Sequence, residues 1–482
     1  MLRREFLSAS LASSLSFASG KRRPNILFIM SDDHAAHAIS AYGSRINETP
    51  QIDRIARSGL RFDNCFCTNS ICTPSRGAIL TGQYSHVNGV KTLNDPLDPA
   101  RPNVAKHLQA SGYATAMVGK WHLHKDPSGF DHWNILPGQG AYHDPVFIEN
   151  GEKKQHKGYC TDLITDFSLD WLKRRPQDKP FFLMCHHKAP HRPWQPDRKY
   201  KDLYFDEKIE EPANLLDDYE NRSEAARRAT MRVGENMTQT DLKIPVRSDY
   251  KGNELRKWAY QYYIKDYLRC IKSVDDGVGR MLNYIQNQGL ENDTVIIYTS
   301  DQGFFLGDHG WYDKRFMYEE SLRMPFLLSY PRAIKKTGVN KDMVLNIDFA
   351  PTFLELAGAK PASEMQGRSF ASNLGGKTPK DWRQSMYYRY WMHLADHGVS
   401  AHYGVRTQRY KLIYYYGNAL GTSGSINEDR TPEWEMFDLQ RDPREMRNVY
   451  GDASYAKVRE ELKVELARVQ KECGDVPVGG AG

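Results

Sequence analysis

Four times along this chain a run of six mostly apolar residues is followed at once by a polar cluster. Asn25 to Met30 leads into Ser31-Asp32-Asp33, and Tyr113 to Val118 into Gly119-Lys120-Trp121-His122. Pro180 to Cys185 leads into His186-His187-Lys188-Ala189-Pro190-His191, and Thr294 to Thr299 into Ser300-Asp301-Gln302-Gly303. None of the runs alternates with polar residues, so each reads as a strand buried on both faces, as in a parallel sheet. In doubly wound sheets ligands bind beyond the carboxyl ends of the strands, so the four clusters are expected to meet on one edge. The fold class that follows is α/β, a large and mostly parallel sheet flanked by helices.

Helices fit between these strands. Pro50 to Ser58 carries Ile52, Ile55 and Ala56 at helical spacing and closes on Gly59, and Val104, Ala105 and Leu108 do the same ahead of Gly112. The longest helix is expected over Leu255 to Gln288, with a stripe from Tyr260 to Ile285 that reads as core packing. Residues 196–251 are charged and irregular, which predicts an insertion over the sheet edge with short helices around Ser223 to Val233. These elements make residues 21–380 a single catalytic domain. Residues 381–482 change character: the aromatic segments Ser385 to Trp391, His402 to Thr407, Tyr410 to Tyr416 and the stretch from Glu435 predict an antiparallel sheet. A helix over Tyr455 to Lys471, apolar at Val458, Leu462, Val464, Leu466 and Val469, should pack on it, followed by a loose tail from Gly474.

Residues 1–20 read as an export signal, with Arg3-Arg4-Glu5-Phe6-Leu7 ahead of a Ser/Ala-rich apolar stretch ending at Ala18-Ser19-Gly20. The Arg-Arg-x-Phe-Leu order resembles a twin-arginine signal, with a Sec signal as the alternative; either places the mature chain in the periplasm or outside the cell. With 40% hydrophobic and 26% charged residues and no run of 18 apolar residues, stable membrane insertion is not expected. The net charge of +6 suits an anionic substrate, but no Lys/Arg-dense stripe points to nucleic acid. Seven cysteines in 482 residues are too sparse for a disulfide scaffold, and Cys65-x-Cys67 lacks the partners of a zinc site.

The chemistry centres on Cys72-Thr73-Pro74-Ser75-Arg76-Gly77-Ala78-Ile79-Leu80-Thr81-Gly82. Thr73 suits a helix cap, Pro74 a first helical position and Gly82 a helix end, which sets Cys72 at the positive end of a short helix. Backbone N–H groups and Arg76, one turn in, would then favour an anion there. Asp32, Asp33 and Asp301 would bring three carboxylates to the same edge, where a divalent cation is the economical compensation. An all-oxygen set that includes Gln302 selects Ca²⁺ or Mg²⁺ over zinc. Lys120, His122, His191 and Lys314 add cations or potential cations, so metal and positive groups would surround one tetrahedral anion.

The Cys-x-Pro-Ser-Arg…Thr-Gly stretch, with Asp32-Asp33, Gly119-Lys-Trp-His, Pro190-His191 and Asp301 through Glu319 in order, resembles the type I sulfatases of the alkaline-phosphatase superfamily. The resemblance runs from about Pro24 to the end of the chain. It implies that a maturation enzyme oxidises Cys72 to formylglycine, whose hydrated aldehyde is the nucleophile. It implies Ca²⁺ held by Asp32, Asp33, Asp301 and Gln302, with residue 72 at the metal, although many members carry Asn where this chain has Gln302. It assigns Arg76 and His122 to orienting and activating the hydrate, and Lys120, His191 and Lys314 to holding sulfate and protonating the leaving oxygen. In-line transfer and charge neutralisation then suffice, and the second hydroxyl of the hydrate lets sulfate leave by re-forming the aldehyde.

For the alcohol, the chain most resembles carbohydrate sulfatases, including those acting on N-acetylglucosamine 6-sulfate in glycosaminoglycans. His402, Arg406, Arg389 and Trp391 are the candidate sugar contacts, against the alternative that a small sheet packs its own aromatics. A small-molecule arylsulfatase or choline sulfatase, a phosphate or phosphonate ester hydrolase, and a silent carbohydrate-binding protein with unmodified Cys72 remain as alternatives.

Overall fold

The computed structural model describes residues 23–479, so the export-signal reading lies outside the described residues. Ten strands form the central sheet. In chain order they are β1 (Asn25–Ser31), β2 (Leu60–Phe62), β3 (Ala114–Lys120), β4 (His132–Leu136), β5 (Val146–Glu149), β6 (Glu152–Gln155), β7 (Phe181–His186), β8 (Thr294–Ser300), β9 (Phe326–Ser329) and β10 (Gly338–Asn340). Their spatial order is β10-β2-β9-β8-β1-β7-β3-β4-β5-β6. The four apolar runs are β8, β1, β7 and β3, adjacent and mutually parallel, so their carboxyl ends do share one edge. β4 extends this block in parallel, and β9 on one side and β5 and β6 on the other bring in antiparallel pairs, which makes the whole sheet mixed.

Burial on both faces explains the unbroken apolar runs. Ile26, Phe28 and Met30 of β1 enter one core, and Leu27 and Ile29 enter the core on the opposite face. The first core lies under helices α2 (Cys72–Thr81), α3 (Val104–Ala110) and α6 (Phe349–Leu356); the second lies under α1 (Ile52–Ser58), α4 (Cys160–Arg174) and the 36-residue α5 (Gly252–Asn287). Tyr260, Tyr263 and Tyr267 of α5 are fully packed there, as the stripe predicts. At the end of β3, Gly119 has φ +104°, and a Cβ would fall 2.0 Å from the His186 carbonyl oxygen, so no other residue fits.

The insertion's short helices are Glu224–Arg228, capped by the Ser223 side chain on the Ala226 N–H, and Gln239–Leu242, beyond the expected stretch, while residues 229–232 run against the segment after β8. Val233 N–H donates to Gly310 and Tyr312 N–H to Met231, which braces the loop that carries Lys314.

The second sheet is antiparallel in the order β11 (Ser385–Tyr390), β12 (His402–Thr407), β13 (Tyr410–Tyr415), β14 (Glu433–Asp438). Helix α7 (Ala456–Cys473) covers one face through Leu462, Leu466, Val469 and Cys473. Val464, expected on that stripe, is 73% exposed because it lies on the opposite side of the helix. The other face of the sheet packs into the main core through Tyr388, Tyr390, Ile413, Tyr415 and Phe437. The tail is tied down, not loose: Asp475 accepts from Tyr387 Oη at 2.6 Å and from Arg389 at 2.8 Å. All seven cysteines are unpaired and buried. Among the described residues no helix is long and apolar enough to cross a membrane.

Candidate active site

Strand register brings the carboxylates together. Ser31 of β1 lies opposite Ser300 of β8, so Asp32 and Asp301 follow side by side, and the carboxylates of Asp32, Asp33 and Asp301 lie within 4.8 Å of one another. All three are fully buried. Asp33 turns back with φ 65°, and its N–H donates to Asp301 Oδ1 at 3.1 Å. Burial, reinforced by the neighbouring carboxylates, pushes Asp33 up to about 7 and Asp301 up to about 6. Burial works against Asp32 as well, but Lys120, Arg76 and Lys314 outweigh it and hold Asp32 well below the usual carboxylate range. Gln302 donates from Nε2 to Asp33 Oδ1 at 2.5 Å, and its buried Oε1 has no hydrogen-bond partner. Crowded carboxylates beside an orphaned amide oxygen are the donor set a hard divalent cation takes.

Helix α2 starts two residues earlier than the sequence suggests. Ile71 is the N-cap and Cys72 is the first helical residue, while Gly82 closes the helix in the left-handed region at φ 65°. Thr73 therefore lies inside the first turn, where its hydroxyl donates to the His122 carbonyl at 3.0 Å instead of capping. Cys72 Sγ sits 3.5 Å from Asp32 Oδ1, and burial pushes its thiol above the ordinary range. Arg76 faces the same cluster and spends its guanidinium on it. Nε and Nη2 donate to Asp301 Oδ2 at 3.1 and 2.9 Å, and Nη1 donates to the Lys120 carbonyl.

The lysines approach from two further loops. Lys120 contacts Asp32 Oδ2 and also donates to Gln139 Oε1. Lys314 donates to both oxygens of Asp33 at 2.7 Å. His191 Nε2 stands 3.8 Å from Asp33 Oδ2, and its Nδ1 is 2.6 Å from the Arg192 carbonyl, which assigns the ring proton to Nδ1. Burial, then Lys120, lowers His191 well below its usual value; the same two causes bring His122 down to about 2, so both rings are neutral. His122 adopts φ 56° beside Thr73. Cys72, Asp32, Asp33, Asp301, Gln302, Arg76, Lys120, His191 and Lys314 thus form one linked cluster, with His122 on its border.

The family model described as "Sulfatase" matches residues 24–359. The chain belongs to the sulfatase family. A second family model, "N-sulphoglucosamine sulphohydrolase, C-terminal", matches residues 307–472. The chain is 44% identical to the N-acetylglucosamine-6-O-sulfatase of Bacteroides thetaiotaomicron, an alignment covering 94% of this chain and 87% of that protein. A solved protein in complex with its substrate D-glucosamine-2-N,6-O-disulfate superposes with a TM-score of 0.89 at 44% identity, covering 94% of this chain and 98% of the other. The phosphonate monoester hydrolase of Agrobacterium radiobacter, at 20% identity and TM-score 0.74 over 94% and 96% of the two chains, shares the fold. This sulfatase is an enzyme that hydrolyses sulfate esters.

The four sugar contacts expected in the sulfatase's second sheet are all buried. His402 is fully buried, accepts from the Met317 N–H at 3.1 Å and lies among Phe316, Tyr388 and Tyr415. Arg406 forms a two-pronged pair with Glu319 at 3.2 and 3.1 Å. Arg389 is held by Asp475 and lies 3.5 Å over the Trp391 ring, whose buried Nε1 has no hydrogen-bond partner. Internal partners thus engage His402, Arg406 and Arg389.

Sequence reasoning missed a different set. Asp313 and Arg315, on either side of Lys314, have φ 87° and 94°, and His397 has φ 67°. Such backbone costs roughly 1–3 kcal/mol per residue and gathers at functional sites. Arg315 Nη1 lies 2.6 Å from Asp313 Oδ1, His397 Nε2 lies 3.2 Å from Asp313 Oδ2, and Arg315 Nη2 reaches the exposed Asp396 at 3.4 Å. The sequence signal was Asp313-Lys314-Arg315, three adjacent charges inside an aromatic run; what it lacked was the meeting with Asp396-His397.

Proposed function

We propose that this sulfatase removes the 6-O-sulfate of N-acetylglucosamine or glucosamine units in sulfated glycosaminoglycan fragments, with Cys72 converted to formylglycine and Ca²⁺ bound. The observation that carries the substrate is the 44% identity, over nearly the whole chain, with an N-acetylglucosamine-6-O-sulfatase. The site supports the chemistry. Asp32, Asp33, Asp301 and the free Gln302 Oε1 would hold the cation, which supplies positive charge against the sulfate oxygens. Formylglycine, once made by a maturation enzyme, supplies a hydrated aldehyde as the nucleophile at position 72.

The chain's own groups do the remaining work. Arg76 anchors Asp301 and the Lys120 backbone, so it fixes the positions of the ligands around residue 72. Lys120 and Lys314, each on a carboxylate that would serve as a cation ligand, are placed to donate to sulfate oxygens as well. His191 Nε2 faces the cluster and Nδ1–H is committed to the Arg192 carbonyl, so we assign the leaving-group proton to Nε2 of the imidazolium form, which the negative charge of a bound sulfate favours over the neutral ring. The neutral His122, next to Thr73, is the group for accepting a hydroxyl proton at residue 72. Asp313, Arg315, Asp396 and His397, a donor and acceptor set beside Lys314, would meet sugar hydroxyls. The Arg-Arg leader is read as delivering the folded protein to the periplasm or beyond.

The test is sulfate release from matched monosaccharides carrying sulfate on O2, O3, O4 or O6, plus an aryl sulfate and an aryl phosphate, using protein co-produced with a maturation enzyme. Release confined to 6-O-sulfated glucosamines is expected. Faster turnover of the aryl phosphate, or of an O2- or O4-sulfate, overturns the reading.

A further inference from the structure

Behind the segment that carries His191 lies a second concavity, away from the carboxylate cluster. It has a volume of about 720 Å³ and opens between Gln195–Pro196, residues 201–205 and the exposed side of α5. Its wall is continuous with the site, since Lys243 donates from Nζ to the Pro193 carbonyl and Arg192 is clamped on Asp241. The lining is lopsided in charge. Lys201, Lys243, Lys265 and Arg269 contribute four cations against the single carboxylate of Asp266. Asp266 is already shared by Lys243 at 3.1 Å and Arg269 at 2.8 Å, which leaves no carboxylate of the lining for Lys265, while Lys201 reaches only the exposed Asp202 beside it, at 4.0 Å. Lys265 reaches only the Phe205 carbonyl, at 3.1 Å.

The same concavity exposes aromatic surface. Phe205 is 71% and Tyr262 42% exposed, although soluble proteins rarely spend large rings on water in company. Tyr262 continues along α5 into a ladder, with Trp258 at 5.0 Å and Tyr250 a further 6.2 Å from Trp258. Rings offer flat apolar faces to the C–H faces of sugars, and lysines beside them offer point charges to sulfates. A purely apolar partner would not call for four cations, and a small anion would not call for a ladder of rings.

We propose that this groove is an accessory binding site for a sulfated polysaccharide chain, seating units of the chain whose end occupies the Cys72 site. The proposal takes from the preceding reading only that the substrate is a sulfated glycan. Its occupant is polymeric, so the groove acts on chains and leaves monosaccharide turnover untouched.

The experiment compares Tyr262→Ala/Lys265→Ala with the unaltered enzyme on two substrates, a 6-O-sulfated glucosamine monosaccharide and heparin oligosaccharides, and measures gel retention by immobilised heparin in a Cys72→Ala background. Expected are equal monosaccharide kcat/KM, a roughly tenfold rise in KM for the oligosaccharides, and loss of heparin retention, for which dextran sulfate substitutes and unsulfated hyaluronan does not. Unchanged retention in the double variant overturns the proposal. So does equal retention by hyaluronan or by single-stranded DNA, which would mark a general basic patch, and so does a dimer that the double variant converts to monomer, which would mark a contact between copies. If the monosaccharide is not hydrolysed but retention is still lost on substitution, the function reading fails and the groove stands.

Discussion

Two regions of the sulfatase bury clusters of ionisable side chains, and they differ in whether the pairing is finished. Beneath the second sheet, Glu319 takes Arg406 and Lys411, Glu445 takes Lys411 and the Glu319 N–H, and Glu435 takes Tyr318, Tyr415 and the Ser223 N–H. Around Cys72, three carboxylates share Lys120, Lys314 and Arg76, while Gln302 Oε1 has nothing. Both regions cost desolvation, but the three glutamates of the first are each paired, while the second crowds three carboxylates beside an unpartnered amide oxygen. Buried charge is therefore weak evidence for chemistry, and an unfinished set of partners is strong evidence.

The sharpest way to break this contrast is Cys72→Ala. Sulfate release should fall by about five orders of magnitude or more, as for other nucleophile deletions, with a thermal midpoint unchanged within a few degrees. A midpoint that collapses would make the site structural. At the interface the expected pattern is reversed. Glu319→Ala leaves Arg406 and Lys411 short of a partner and should cost about 3–5 kcal/mol in denaturant unfolding, with kcat per folded molecule unchanged. Lys314→Ala comes next, lowering kcat/KM by about 10²–10³ as for loss of one charge-stabilising donor, while leaving unfolding free energy nearly constant.

The smallest effect concerns pH. Burial pushes Glu445 up to about 7, against Lys411 and in company with Glu319. The folded chain thus holds a proton there that the unfolded chain has lost above about 4.5, so this residue makes stability fall as pH rises from about 5 to 7. Glu445→Gln should flatten that part of the stability profile; an unchanged slope would place the titration elsewhere.

The same contrast explains which expectations held. Asp32, Asp33, Asp301 and Lys120 were legible because each directly follows an apolar run, and parallel neighbours put such ends together. The pairing of Arg406 and Arg389 was not legible because their partners, Glu319 and Asp475, lie 87 and 86 residues away. Asp313, Arg315 and His397 were missed because their mark is backbone conformation, which no composition records.

By itself the sequence determined the α/β architecture, the edge at which the site forms and the chemistry of its donors, since apolar runs, glycines and charged clusters act through local rules. Only the tertiary structure decided which charges are spent and which are left over. Pairing energy depends on distances of a few ångströms between residues far apart in the chain, and these are set by packing rather than by order along the backbone.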